Sequence, residues 1–127
     1  MQPARKRILV VEDDPEMRSL LKDFMEEEGI EVASVEDGSE AFRRLARENF
    51  DLIITDIRMP GLSGLDILPG LKQIRPRSPV IAITAFGSEE IHRRAMENGA
   101  DAYLEKPLHL AELKKLVQQM IFSPGGA

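Results

Sequence analysis

Cysteine and tryptophan are absent from this sequence, and tyrosine occurs once. Without cysteine there is neither a disulfide framework nor a thiolate metal site. Positive charge is in deficit, with 17 Lys and Arg against 22 Asp and Glu, a net charge of −5 and a pI near 5.1. Nucleic-acid binders usually carry a basic excess or a basic face. The basic residues here are scattered, and the small clusters at Arg5–Arg7 and Arg43–Arg44 read as solvated surface. Direct nucleic-acid binding by this segment is therefore not expected. Long apolar runs are also missing: none approaches the ~18 residues of a membrane span. The short apolar stretch after Arg5, Lys6 and Arg7 is too brief for a signal peptide. These absences make the cytoplasm the expected location, with no membrane partner. No internal repeat or low-complexity tract appears.

What is present is the balance of a globular domain: 127 residues, 43% hydrophobic and 31% charged. Ile8–Val11, Leu52–Ile54 and Val80–Ile83 are short aliphatic runs rich in β-branched residues, the pattern of buried strands. Val32–Val35 and Ala102–Leu104 are more polar, as edge strands tend to be. Helical spacing lies between them. Met17, Leu20, Leu21, Phe24 and Met25 share one face, with Asp14 as N-cap, Pro15 at the first helical position and Gly29 as a stop. Ala41, Phe42, Leu45 and Ala46 mark a second helix, which opens on a capping-box pattern at Asp37 and Glu40. Leu65–Ile74 contains Pro69 and Gly70, which predicts a kink or a late start. Glu89–Asn98 has a thin apolar stripe of Ile91, Ala95 and Met96, and a last helix carries Leu110, Leu113, Val117 and Met120.

Five strand–helix repeats predict an α/β fold, a parallel sheet with helices on both faces. Placing the two polar strands at the edges gives the order 2-1-3-4-5 of flavodoxin-like (βα)5 folds. The domain is expected over residues 1–122, and the Ser-Pro-Gly-Gly-Ala stretch at 123–127 reads as a flexible tail or the start of a linker.

In such sheets ligands bind outside the carboxyl ends of the strands. Strand 1 ends in Glu12, Asp13 and Asp14; strand 3 in Thr55 and Asp56; strand 4 in Thr84 and Ala85; strand 5 in Glu105, Lys106 and Pro107. Carboxylates brought together there would repel, and a hard divalent cation relieves that repulsion. Mg²⁺ prefers oxygen ligands, few carboxylates and retained waters. Asp13 and Asp56 can supply oxygens directly, Glu12 through a water, and the backbone carbonyl near Arg58 another. Lys106 and the Thr84 hydroxyl suit two further oxygens of a phosphoryl group. Asp56 is then the nucleophile, since carboxylates form acyl phosphates. Taken singly, each residue has a plainer use: Asp14 as a helix cap, Asp56 as a turn former before Pro60–Gly61, Thr84 as a strand residue, Lys106 as surface charge, Tyr103 as edge packing. Their joint placement at four strand ends is what points to chemistry.

From Ile8 to about Ile121 the chain resembles the receiver domain of bacterial two-component response regulators. The segments that carry the likeness are Ile8-Leu-Val-Val-Glu-Asp-Asp14, Asp51-Leu-Ile-Ile-Thr-Asp-Ile-Arg-Met-Pro-Gly61, Ile83-Thr-Ala85 and Leu104-Glu-Lys-Pro107. The resemblance implies that Glu12 and Asp13 hold Mg²⁺ (or Mn²⁺), and that Asp56 is phosphorylated by a sensor histidine kinase, a phosphotransfer protein or a small phosphodonor. It implies Thr84 and Tyr103 as a switch pair, Lys106 as the lysine of the phosphoryl pocket, and a cis bond between Lys106 and Pro107. Arg58 and Phe86 fall where phosphoryl lifetime is tuned in the family, and Phe86 is bulky enough to restrict hydrolytic water. Such a receiver is not an enzyme on an outside substrate; it catalyses only its own phosphotransfer and dephosphorylation. Its altered surface, often that of helix 4, strand 5 and helix 5, addresses a downstream output domain or protein, and phosphorylation-linked homodimers occur.

Two features depart from the family's commoner pattern: Glu12 stands where Asp is usual, and His109 where a better N-cap often precedes helix 5. The stretch Ile83–Gly87 is similar to receivers of enhancer-dependent transcription activators. An aspartyl phosphatase would need an acid two residues after its nucleophile, where this chain has Arg58. A flavin module would need a phosphate loop after strand 1, where this chain has acids. The remaining alternative is a phosphorylation-independent interaction module on the same fold, against which the full set Glu12, Asp13, Asp56, Thr84 and Lys106 argues.

Overall fold

The computed structural model describes residues 5–57 and 64–122. Its elements alternate without exception: β1 (Arg7–Val11), α1 (Pro15–Glu27), β2 (Glu31–Val35), α2 (Gly38–Arg47), β3 (Leu52–Asp56), α3 (Gly64–Ile74), β4 (Val80–Thr84), α4 (Glu89–Glu97), β5 (Ala102–Glu105) and α5 (Leu110–Ile121). All strand pairs are parallel, in the order β2-β1-β3-β4-β5, so the two polar strands do lie at the edges.

Alternation along the central strands divides the core in two. Leu9, Val11 and Ile53 face α2, α3 and α4 through Leu45, Leu68, Leu71 and Ala95. Ile8, Val10 and Ile54 face α1 and α5 through Leu21, Met25, Leu113 and Val117. The three central strands are buried on both faces, which is why they read as unbroken aliphatic runs.

The helix ends follow their local chemistry. Asp14 caps α1 by accepting from the Glu16 N–H at 3.1 Å, with Pro15 in the first turn. Gly29 closes that helix with φ of +78°, a conformation side chains disfavour. Asp37 caps α2 through the Glu40 N–H at 2.9 Å, while the Glu40 carboxylate accepts from the Glu36 N–H at 3.1 Å, one residue before the cap. In α3, Pro69 lies inside the helix, which begins five residues before it. Within α4 only Ala95 is buried, as its thin stripe implied. His109 stands at the N-cap of α5 and makes no side-chain capping bond; it is exposed.

Candidate functional site

Parallel strands all end on one side of the sheet, so β1, β3, β4 and β5 deliver their last polar residues to a common patch. Glu12 follows β1 and is fully buried; Asp56 ends β3 and is 4% exposed; Thr84 ends β4 and is buried. Lys106, just after β5, reaches back across the strand ends. Its Nζ donates to Glu12 Oε1 at 2.7 Å and to Asp56 Oδ2 at 2.8 Å. Its backbone N–H is fixed by the Thr84 carbonyl at 2.8 Å, and the Lys106–Pro107 peptide bond is cis.

Glu12, Asp13 and Asp56 each present a carboxylate oxygen within 4.8 Å of the others. Burial pushes the Glu12 carboxyl up to about 7; the bonds from Lys106 and the Asp14 N–H oppose that rise, and the neighbouring Asp56 charge adds to it. For Lys106, burial alone would lower proton affinity, but its bonds to Asp56 and Glu12 outweigh burial and raise it. One ammonium is thus bonded to two of three clustered acids. Opposite oxygens around Mg²⁺ at bonds of ~2.1 Å lie about 4.2 Å apart, and around the larger Ca²⁺ somewhat further. The donor set is all oxygen, under-neutralised and of nearly the right span, so it fits a hard divalent cation. Asp13, the exposed member, opens the cluster to solvent.

The rest of the patch is arranged around Thr84 and Tyr103. Thr84 Oγ1 accepts from the Phe86 N–H at 3.1 Å. The Phe86 side chain is 64% exposed. Tyr103 is half-buried and stacks on His92 of α4, with centroids 4.4 Å apart and planes 8° from parallel. Its hydroxyl donates to Glu105 Oε1 at 3.4 Å. Burial and the Glu105 charge raise the Tyr103 phenol above its ordinary value.

Of the residues singled out in the sequence, Glu12, Asp13, Asp56, Thr84 and Lys106 meet in this patch, and Tyr103 borders it. Arg58 lies outside the described residues. Three contributors escaped the sequence reading. Arg18 of α1 donates through Nη1 to the carbonyls of Glu12 at 2.8 Å and Asp13 at 3.1 Å, which pins the acidic turn. His92 provides the stacking face for Tyr103. Gly87 leaves room for it: a Cβ there would sit 2.2 Å from the Tyr103 hydroxyl and 2.5 Å from the Glu105 carboxyl carbon. A glycine straight after strand 4's Thr-Ala-Phe was the one available signal.

This fold with an acidic, lysine-bridged pocket at the strand ends defines a phosphoacceptor class of signalling domain, and the family model for the response regulator receiver domain matches residues 8–118. The chain belongs to that family. It is 40% identical over 114 residues to the response regulator protein PilR of Pseudomonas aeruginosa, a match that covers 90% of this chain and 26% of PilR. The chain thus spans about a quarter of that relative's length. Among solved structures, a CheY-like response regulator receiver domain protein from Methanospirillum hungatei superposes with a TM-score of 0.89 at 30% identity, covering 94% of this chain and 95% of that one. The response regulator TrrA of Thermotoga maritima, solved with Mg²⁺ and beryllium fluoride, gives 0.81 at 38% identity, covering 91% and 98%. Among the described residues no helix is long and apolar enough to cross a membrane.

Proposed function

We propose that Asp56 accepts a phosphoryl group. The observation that carries this reading is the convergence of Glu12, Asp13 and Asp56, with Lys106 bonded to the first and the last, which sets the buried Asp56 carboxylate beside both a cation and an oxygen-rich cluster. An Asp56 carboxylate oxygen forms the new P–O bond. The bond from phosphorus to the donor breaks, a P–N bond for a phosphohistidine or a P–O bond for acetyl phosphate. The imidazole or acetate leaves with the electron pair.

Glu12, Asp13 and Asp56 would hold Mg²⁺, which TrrA also binds, or Mn²⁺; the ion supplies charge neutralisation for the transferring group. Lys106, held in its charged form by its bonds to Asp56 and Glu12, neutralises a second phosphoryl oxygen. The Thr84 hydroxyl, which now accepts from the Phe86 N–H, donates a hydrogen bond to a third oxygen. Tyr103, stacked at the rim, follows the vacancy left by Thr84, and the surface of α4, β5 and α5 changes with it. Phe86 shields the product from water, and the loss of phosphate from Asp56 should be faster in Phe86→Ala; an unchanged lifetime removes that role.

The family points to a histidine kinase as donor, an output domain or protein as receiver of the signal, and cytoplasmic action, with no turnover of an outside substrate. The test is intact mass after incubation with acetyl phosphate and Mg²⁺. One added phosphoryl mass is expected, absent without Mg²⁺ and absent in Asp56→Asn. No gain in the wild type, or an equal gain in the variant, would favour a phosphorylation-independent interaction module instead.

A further inference from the structure

A cavity of about 710 Å³ opens at the opposite end of the sheet from Asp56. It lies between the segment entering β3, the loop from α3 to β4, and the last turn of α5. Its size falls within the ~300–1,000 Å³ of small-molecule sites. One wall is apolar, formed by Phe50, Ile74, Met120 and Ile121. The other carries charge, from Arg75, Arg77 and Asp51.

These charges are unequally engaged. Asp51 is already used, since its Oδ2 accepts from the Arg7 N–H at 2.8 Å. Arg75 and Arg77 form no ion pair among the described residues. More tellingly, Arg75 Nε is buried and has no hydrogen-bond partner. A buried donor without an acceptor is costly, and few native groups are left that way. The nearby Ser78 hydroxyl donates to the Phe50 carbonyl at 2.6 Å and takes no bond from Arg75 Nε.

We propose that this cleft binds a monocarboxylate with an apolar chain. On binding, the Arg75 side chain turns its guanidinium, Nε–H included, towards the carboxylate, in the forked geometry that arginine offers. Arg77 adds positive charge at the head, and the chain lies over Met120 and Ile121. The acid binds as its anion, so no bond is made or broken. The site is separate from the Asp56 pocket: β3 and β4 each place one end at the cavity and the other at the pocket.

Octanoate is the probe, read by NMR on the full chain labelled with ¹⁵N and ¹³C. Saturable shifts are expected at Arg75 Nε–H and the Met120 methyl. Affinity should fall about tenfold or more in Arg75→Gln, the size of a lost charged hydrogen bond. Met120→Glu, which brings an acid of its own to the apolar wall, should weaken binding by a similar factor. Amide spectra report the fold of both variants, and phosphorylation of Asp56 should be unaffected in each. Octan-1-ol and acetate, each with half of the ligand's chemistry, should not saturate. The proposal is overturned by no saturable shift with octanoate, by equal affinity in Arg75→Gln, or by octan-1-ol binding as well as octanoate; the last would mark a merely greasy cleft with water on Arg75.

Discussion

At the amino-terminal end of the sheet, Asp51 and Asp101 each precede a strand and clamp the first residue of its neighbour. Asp51 donates its N–H to the Arg7 carbonyl and accepts the Arg7 N–H on Oδ2, both at 2.8 Å. Asp101 does the same with Val80, again at 2.8 Å twice, and also receives Lys72 Nζ at 3.1 Å. At the carboxyl end, Glu12 and Asp56 share one Lys106, and Asp13 crowds within 4.8 Å of both. Acids at one end are tied to the backbone of a neighbouring strand and hold strands in register. Acids at the other end are short of positive charge, and that shortage is what a cation and a phosphoryl group would use. The same residue type thus serves structure or chemistry according to how completely it is satisfied.

The largest test of this contrast is Lys106→Ala. Without metal it leaves Glu12 and Asp56 facing each other, and a loss of roughly 2–3 kcal/mol of stability is expected in urea unfolding. Added Mg²⁺ should restore much of that loss. An unchanged midpoint would mean that the carboxyl-end acids are already well solvated.

Next comes Asp101→Ala, which removes the acceptor of Val80 N–H and of Lys72 and should cost about 1–2 kcal/mol, with or without Mg²⁺. Neutralising an acid at the carboxyl end should act with the opposite sign. Glu12→Gln removes a charge held in a buried place and is expected to stabilise the metal-free protein by about 1 kcal/mol. It should also weaken Mg²⁺ binding by about tenfold, as measured by calorimetry. If Glu12→Gln destabilises as Asp101→Ala does, the contrast between the two ends fails.

The pH dependence separates the ends most finely. Glu12 holds its proton more strongly when folded, so metal-free stability should decline as pH rises from about 4.5 to about 7, and Glu12→Gln should flatten that decline. Glu48, at the amino end beside Arg7, behaves in reverse. Its bonds from Arg44 and Arg7 lower its carboxyl to about 2. Its contribution is present above 4.5 and lost as pH falls towards about 2. Because Glu48 is solvent-facing, this is the smallest effect, seen as a slightly shallower acid transition in Glu48→Gln.

Much of this was legible in the sequence. Runs such as Leu52–Ile54 and Val80–Ile83 announced buried strands because burial on both faces leaves no polar positions. Polarity at Val32–Val35 and Ala102–Leu104 placed the edges. Residues at strand ends could be listed in order, so the pocket of Glu12, Asp13, Asp56, Thr84 and Lys106 followed from the topology. Asp51 and Asp101 were not legible. Each is an isolated acid before a strand, and nothing local says that its partner is the first residue of a strand 44 or 21 positions away. Arg18, His92 and Gly87 stayed hidden for the same reason: their meaning lies in contacts with the acidic turn and with Tyr103. The unpartnered Arg75 Nε is visible only once burial is known.

The lone tyrosine has a practical consequence. With tryptophan absent, the intrinsic emission of this protein comes mainly from Tyr103, whose ring rests on His92 at the rim of the pocket. The chain therefore carries its own optical reporter, at a position that moves if the rim rearranges and needs no label.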